Sequence, residues 1–93
     1  MPVRVRLPAI LRDLPGSRAV VELEGPYDTV TEAFDALWRK VPGVRDRVLT
    51  ETGEVREHVQ VFVGLESIRF TGGLATAVPE DAEIHIVPAV SGG

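Results

Sequence analysis

Cysteine is absent from the 93-residue chain, and lysine occurs only once, at Lys40, beside nine arginines. A chain without cysteine forms no disulfide, binds no metal through thiolates and has no thiol nucleophile. Aromatic residues are also scarce, at 5% of the total. No apolar run approaches the roughly 20 residues that span a bilayer, and the opening MPVRVRLPAI lacks the core of a signal peptide. We therefore expect a cytoplasmic protein with no membrane partner.

The charge balance is acidic, with a formal net charge of −4, and the arginines are dispersed along the chain. Nucleic-acid binding needs a concentrated basic surface, so we expect no nucleic-acid partner. The length and the 44% hydrophobic content fit one globular domain with a small core. Such a core leaves little room for a ligand cavity, which disfavours a self-sufficient enzyme.

Alternation of apolar and polar residues predicts strands in VRVRL, AVVELE, HVQVFVG and EIHIV. The first two form a predicted hairpin, and ESIRF is a candidate for a short further strand. The predicted inward positions are Val3, Val5, Leu7, Ala19, Val21, Leu23, Val59, Val61, Val63, Ile84 and Ile86. The predicted outward positions include Arg4, Arg6, Val20, Glu22, Gln60, Phe62 and Val87.

One amphipathic helix is predicted between the second and third strands. Thr29 and Glu32 match a capping box, and Pro42-Gly43 marks the helix end. Its apolar stripe comprises Val30, Ala33, Phe34, Leu37, Trp38 and Val41. The following VRDRVL is long enough for one more helical turn.

This order of elements predicts an α+β fold of the β-grasp, or ubiquitin-like, type, in which a mixed sheet of about five strands covers one main helix. A split βαβ fold is the alternative, but it needs a second long helix. We assign residues 1–88 to the β-grasp domain and residues 89–93 to a flexible tail that ends in Gly-Gly. The last strand would be central, so the tail would project from the sheet and reach about 20 Å.

The C-terminal third, RFTGGLATAVPEDAEIHIVPAVSGG, resembles the ThiS/MoaD family of sulfur carriers. The shared features are RF-GGLAT, the acidic turn PEDAE, a hydrophobic strand, then PAV, a small residue and Gly-Gly. Within that family the likeness is greatest to the carriers of cysteine biosynthesis. Ser91 stands where the resemblance leads us to expect alanine, and its small size keeps the assignment intact.

The resemblance implies that the Gly93 carboxylate is adenylated by an E1-like enzyme that uses ATP, and is then converted to a thiocarboxylate. The carrier itself would have no catalytic residue, bound cofactor or metal. A sulfur-accepting enzyme such as a cysteine synthase would be the second partner. Gly92, Ser91 and Val90 would thread the tail into the partner, because small residues admit close approach.

A partner surface is predicted on the sheet face away from the helix. Alternation points Phe62, Val87 and Val20 to that face, where they would form an apolar patch bordered by Arg4 and Arg6 if their strands adjoin. Exposed apolar patches of this kind commonly mark protein partners.

Several other interpretations remain open. The carrier could instead serve molybdopterin synthase as its small subunit, or thiamine or tRNA thiolation. It could be a ubiquitin-like modifier joined through Gly93 to lysines, or an interaction module with an idle tail. TGGL lacks the lysine and helix of a phosphate loop, which favours a turn with positive φ. His58 and His85 show no metal-ligand spacing.

Overall fold

The structure is a computed structural model that describes residues 3–14 and 16–88. In this part of the chain a single sheet carries two α-helices on one face. The elements are β1 (Val3–Arg6), β2 (Val20–Leu23), α1 (Val30–Lys40), α2 (Pro42–Val48), β3 (Val59–Val63), β4 (Glu66–Ser67) and β5 (Glu83–Pro88). Short 3₁₀ turns at Ala9–Leu11, Ile68–Phe70 and Gly73–Ala75 connect them.

The strands lie in the order β2-β1-β5-β3-β4. β1 pairs antiparallel with β2 and parallel with β5, and β3 pairs antiparallel with both β5 and β4. The predicted hairpin and the central position of the last strand are therefore confirmed. The parallel first and last strands at the centre, crossed by the helices on one face, confirm the β-grasp fold.

The start of α1 is determined by Thr29, which has an extended backbone and accepts a hydrogen bond from the Glu32 amide at 3.3 Å. The return bond of a full capping box, from the Thr29 amide to the Glu32 carboxylate, is not formed among the described residues. A second anchor replaces it, since the Val30 amide donates to the Thr76 carbonyl at 3.0 Å.

The second helix is longer than the single turn that we predict from the sequence. α1 ends at Lys40, and Pro42 opens α2 at its first helical position. Proline suits this position because its fixed φ is helical and its missing amide hydrogen would have no helical partner there. Pro42 thus ends one helix and begins the next, and α2 buries Val44 and Val48.

The core lies between the helices and the inner sheet face. Its largest fully buried side chains include Phe34, Leu7, Leu23, Leu37, Ile84, Ile86, Val3, Val5, Val30, Val41, Val44 and Val48. Val63 and Trp38 are only half-buried, although Trp38 packs on Phe34 with ring centroids 4.9 Å apart. Ala19, predicted inward, is exposed because it lies at a bend just before β2 begins.

The TGGLAT segment is a structural turn. Gly72 and Gly73 have φ of 117° and 63°, as predicted, and such values favour glycine because it lacks a Cβ. The buried Thr76 hydroxyl donates to the Gly73 carbonyl at 2.6 Å and lies 3.0 Å from the Thr71 hydroxyl. These bonds place the Thr76 carbonyl at the start of α1.

None of the helices in the described part of the chain is long and apolar enough to cross a membrane. Residue 88, where we predict the domain boundary, lies on β5 and is the last residue that the structure describes. The predicted tail, residues 89–93, lies outside the described residues, so its assignment as a separate segment stays a prediction.

Candidate functional site

The sheet face opposite the helices is uncovered in the described part of the chain, and strand register defines which side chains share it. Arg6 lies opposite Val20 on β2 and His85 on β5. His85 in turn lies opposite Phe62, which lies opposite Ser67. These residues form one row across all the strands, and we call the whole uncovered surface the open face.

A charged cluster occupies the centre of the open face. The Arg6 guanidinium donates a hydrogen bond to the Glu83 carboxylate, and His85 Nε2 lies 2.8 Å from the same Glu83 oxygen. Glu83 and His85 are both half-buried. Because these groups alternate with the fully buried Ile84 and Ile86 on β5, the core fixes their direction.

The hydrogen bond from Arg6 lowers the pKa of the Glu83 carboxyl below its ordinary value. Partial desolvation opposes this shift, while the positive charge of Arg6, and then those of His85 and Arg4, reinforce it. Glu83 is therefore ionised throughout the neutral range. The centre of the open face presents a carboxylate held beside the Arg6 guanidinium.

The predicted partner residues are divided by this cluster. Phe62 and Val87 lie on the adjacent strands β3 and β5, where Val87 is opposite Gln60. Val20 is on β2 and is separated from Phe62 by Arg6 and His85, at roughly 14 Å for three strand spacings. The expectation of one continuous apolar patch that includes Val20 is therefore wrong, because β1 and β5 lie between β2 and β3.

The arginines also differ from their predicted position at the border of the patch. Arg4 and Arg6 lie on β1, next to the central strand, and both are exposed. Arg4 is opposite Glu22 and Glu83, and its Nε is 3.9 Å from the Glu22 carboxylate. The predicted surface thus has a charged centre with apolar residues on both flanks.

The end of β5 opens onto a small groove, which we call the tail-root groove. Its volume is about 140 Å³, and its lining is mostly apolar: Pro8, Ile10, Leu11, Arg47, His58, Val59, Ile86, Val87 and Pro88. Ile10 is 71% exposed at this position. A chain leaving β5 at Pro88 would start beside this groove, between the end of β1 and the start of β3.

The predicted reactive and threading positions, Gly93, Gly92, Ser91 and Val90, lie outside the described residues. What the structure does define is their point of departure at Pro88. Across residues 3–14 and 16–88, the acidic and histidine side chains form no group that could hold a metal ion.

Sequence reasoning overlooked Glu83, His85 and Ile10 as site residues. The first two could have been found, because the alternation that points Ile84 and Ile86 inward also points their neighbours outward. Ile10 gives no such signal, since it lies in a 3₁₀ turn whose position depends on the folded chain.

Comparison with known proteins agrees with this architecture. The sequence profile described as the ThiS family matches residues 5–93. The sulfur carrier protein CysO of Mycobacterium tuberculosis is 35% identical over 95 residues, covering 100% of both chains. Small archaeal modifier protein 1 of Haloferax volcanii is 37% identical over 89 residues, covering 95% of this chain and 97% of the relative.

Solved structures show the same relationship. A chain of the BexX/CysO complex of Amycolatopsis orientalis superposes with a TM-score of 0.85 at 35% identity, covering 98% of this chain and 99% of that chain. The fold and its open face thus define a ubiquitin-like β-grasp protein of the sulfur carrier and modifier class. The chain belongs to the ThiS family.

Proposed function

We propose that this chain is a sulfur carrier in which Gly93 bears the transferred sulfur, most directly for cysteine biosynthesis. The observation that carries the proposal is the ThiS family match, which extends through Gly93, together with the full-length likeness to CysO, a sulfur carrier protein. On this proposal the chain is a co-substrate, and the chemistry belongs to its partner enzymes.

Activation is needed because a carboxylate is a poor electrophile at neutral pH. In the proposed first step, a Gly93 carboxylate oxygen attacks the α-phosphorus of ATP in an E1-like enzyme, and pyrophosphate leaves. A sulfide equivalent then attacks the acyl carbon, AMP leaves, and a thiocarboxylate results. Neither Gly92 nor Gly93 has a side chain that would obstruct these attacks.

The open face is the proposed docking surface for the activating enzyme. Support comes from its position next to the root of the tail and from its combination of Phe62 and Val87 with the Arg6-Glu83-His85 cluster. Charged groups around an apolar contact contribute specificity and speed association. The CysO structure from Amycolatopsis orientalis was solved in complex with BexX, so a protein of this fold binds a partner protein.

A matched pair of variants tests the docking surface. Phe62→Ala should weaken binding to the activating enzyme, measured by titration calorimetry at a temperature where the variant is folded, and should lower the melting temperature moderately, because Phe62 is half-buried. Phe70→Ala removes an equally large ring that is 89% exposed but lies in the 3₁₀ turn after β4, outside the set of predicted surface residues, and should bind normally. Equal binding by both variants would show that the surface is misplaced.

The tail has its own test. Gly92→Trp should abolish activation, measured as ATP–pyrophosphate exchange with the activating enzyme, while the thermal midpoint stays unchanged. A fall in the midpoint instead would show that position 92 serves the fold.

The direct test of the function is mass spectrometry of the protein isolated from its own cells, with fragmentation of the C-terminal peptide. We expect exchange of one oxygen for sulfur at Gly93. Fragmentation is required because oxidation of Met1 adds nearly the same mass. A thiocarboxylate consumed by an O-phosphoserine-dependent cysteine synthase would support the cysteine role. Consumption by a molybdopterin synthase large subunit, or in thiamine or tRNA thiolation, would favour those alternatives.

A second candidate function is conjugation to proteins, and the likeness to small archaeal modifier protein 1 favours it. The same acyl adenylate would then react with a lysine amine rather than with sulfide. The bond made by Gly93 separates the two functions: a C–S bond identifies the carrier, and an isopeptide C–N bond identifies the modifier. A chain lacking Gly93 that remains fully functional would refute both.

A further inference from the structure

One edge of the sheet has outward-pointing backbone groups that pair with no strand in the described part of the chain. β2 is outermost and pairs only with β1 in the described part of the chain. The Leu7 amide donates to the Ala19 carbonyl at 3.0 Å, and the register continues with Val5 opposite Val21. Because hydrogen-bonded positions alternate along an antiparallel pair, the backbone groups of Val20 and Glu22 point away from the sheet.

A groove of about 590 Å³ runs along this edge, and we call it the edge groove. Its lining residues are Gly16, Arg18, Val20, Val21, Glu22 and Lys40. Lys40, at the end of α1, donates from Nζ to the Glu22 carbonyl at 2.9 Å. The Glu22 carboxylate is near Arg4 on the open face, which partly neutralises its charge. The other charged residues that line the groove, Arg18 and Lys40, are both positive and give the groove a positive character.

We propose that Lys40 is the acceptor for the Gly93 acyl group of a second copy of this chain, whose residues 88–93 occupy the edge groove as an added strand. The inference rests on the modifier function proposed above. It assigns the chain a single self-conjugation site and therefore a single type of linkage.

The C-terminal segment PAVSGG matches the groove in length, bulk and charge. Residues 91–93 aligned parallel to residues 20–22 would pair with β2 over about 10 Å at 3.3 Å per residue, with residues 89 and 90 beside the bend at Ala19. This alignment places Gly93 beside Glu22, whose carbonyl holds the Lys40 ammonium. Small side chains allow the segment to approach the edge closely, and a free Gly93 carboxylate would meet a cation. Addition of a strand to an exposed edge is an established mode of peptide binding.

Among the side chains that line the edge groove, only Lys40 also carries a suitable nucleophile. Deprotonated amines attack activated acyl groups, whereas the guanidinium of arginine stays protonated. In the proposed step the neutral Nζ attacks the acyl carbon of the Gly93 adenylate. A C–N bond forms, the acyl C–O bond breaks, AMP leaves, and the nitrogen loses a proton to water.

The experiment uses a synthetic peptide with the sequence of residues 88–93, which bypasses the activating enzyme. With the peptide as a free acid, NMR should show shifts of the Val20 and Glu22 amides. With the peptide as an aryl thioester, peptide mapping should locate the adduct on Lys40. Positioning by the groove should make this reaction about tenfold faster than that of acetyl-glycine aryl thioester.

Lys40→Arg is the matched variant, because it retains the positive charge but lacks a reactive amine. It should bind the free-acid peptide, with the same amide shifts, and form no side-chain adduct. Absence of shifts in the native protein, or equal rates for the two thioesters, would overturn the proposal. Neither result would affect the Gly93 chemistry itself, which is tested by the products found in cells.

Discussion

The two faces of the sheet differ in what their side chains do, although they are built from the same strands. On β5, Ile84 and Ile86 are 0% and 2% exposed and pack under the helices. Their neighbours Glu83 and His85 form the charged cluster on the open face. A shift of one residue along β5 thus separates the buried core from the face that is proposed to dock the activating enzyme, and substitutions should divide accordingly.

The largest contrast is expected between two phenylalanines. Phe34 on α1 is 1% exposed, so Phe34→Ala should destabilise the domain by about 3–5 kcal/mol through lost burial and a cavity. Phe70 is 89% exposed, and Phe70→Ala should change the free energy of unfolding by less than about 0.5 kcal/mol. Urea denaturation followed by Trp38 fluorescence measures both, and similar losses would remove the distinction between buried and exposed positions.

A second comparison of the two sheet faces uses neighbouring residues on β5. Ile86→Ala should cost about 2–5 kcal/mol, because Ile86 is 2% exposed between the sheet and the helices. Val87→Ala, on the half-buried opposite side, should cost less than about 1 kcal/mol. The same denaturation experiment applies. A larger cost at Val87 would mean that the open face carries part of the folding energy.

A smaller, pH-dependent effect is expected at Glu83. Because its pKa is lowered in the folded protein, ionised Glu83 stabilises the fold above the ordinary glutamate pKa of about 4.5. This contribution is lost as the pH falls through the lowered folded value. Near neutral pH, the native protein should therefore have a higher melting temperature than the Glu83→Gln variant. This difference in melting temperature should vanish in acid.

Thermal melts across the pH range, with Glu80→Gln as an exposed acidic control, measure this difference. Solvent weakens the interaction, so the change should be modest. A difference in melting temperature that grows as the pH falls would contradict a pKa of Glu83 lowered by the Arg6 hydrogen bond.

The smallest stability effect is expected for Arg4→Ala. The Arg4–Glu22 pair is 3.9 Å apart with side chains 58% and 66% exposed, a setting worth at most about 1 kcal/mol. Binding to the activating enzyme should nevertheless slow, with a reduced dependence on salt, because exposed charges guide association. Unchanged association kinetics in stopped-flow mixing would exclude Arg4 from the docking surface.

Local pattern was sufficient to predict most of the fold. Alternation identified the buried positions of β1 and β5, and Thr29 marked the start of α1. Two errors arose where one signal has two meanings. Pro42 follows the end of α1 and also begins α2. The alternation of inward and outward side chains does not extend to Ala19, which lies at a bend and is exposed.

The lateral order of the strands within the sheet was the main feature that the sequence could not provide. Alternation places Val20 and Phe62 on the same face but carries no information on strand order. The charged cluster between them became visible only after β5 was found at the centre of the sheet. The tail positions were inferred from the Gly-Gly ending and the family resemblance, and they remain predictions.

The central position of β5 also bears on synthesis of the protein. Arg4 pairs with Glu83, so the middle of the sheet joins residues from opposite ends of the described chain. During translation β1 must wait for β5 until residues 83–88 have been made, and such distant pairing is slow to form. A ribosome that stalls before residue 83 would release a chain without its central strand. Folding and presentation of the tail are thereby restricted to chains translated beyond that point.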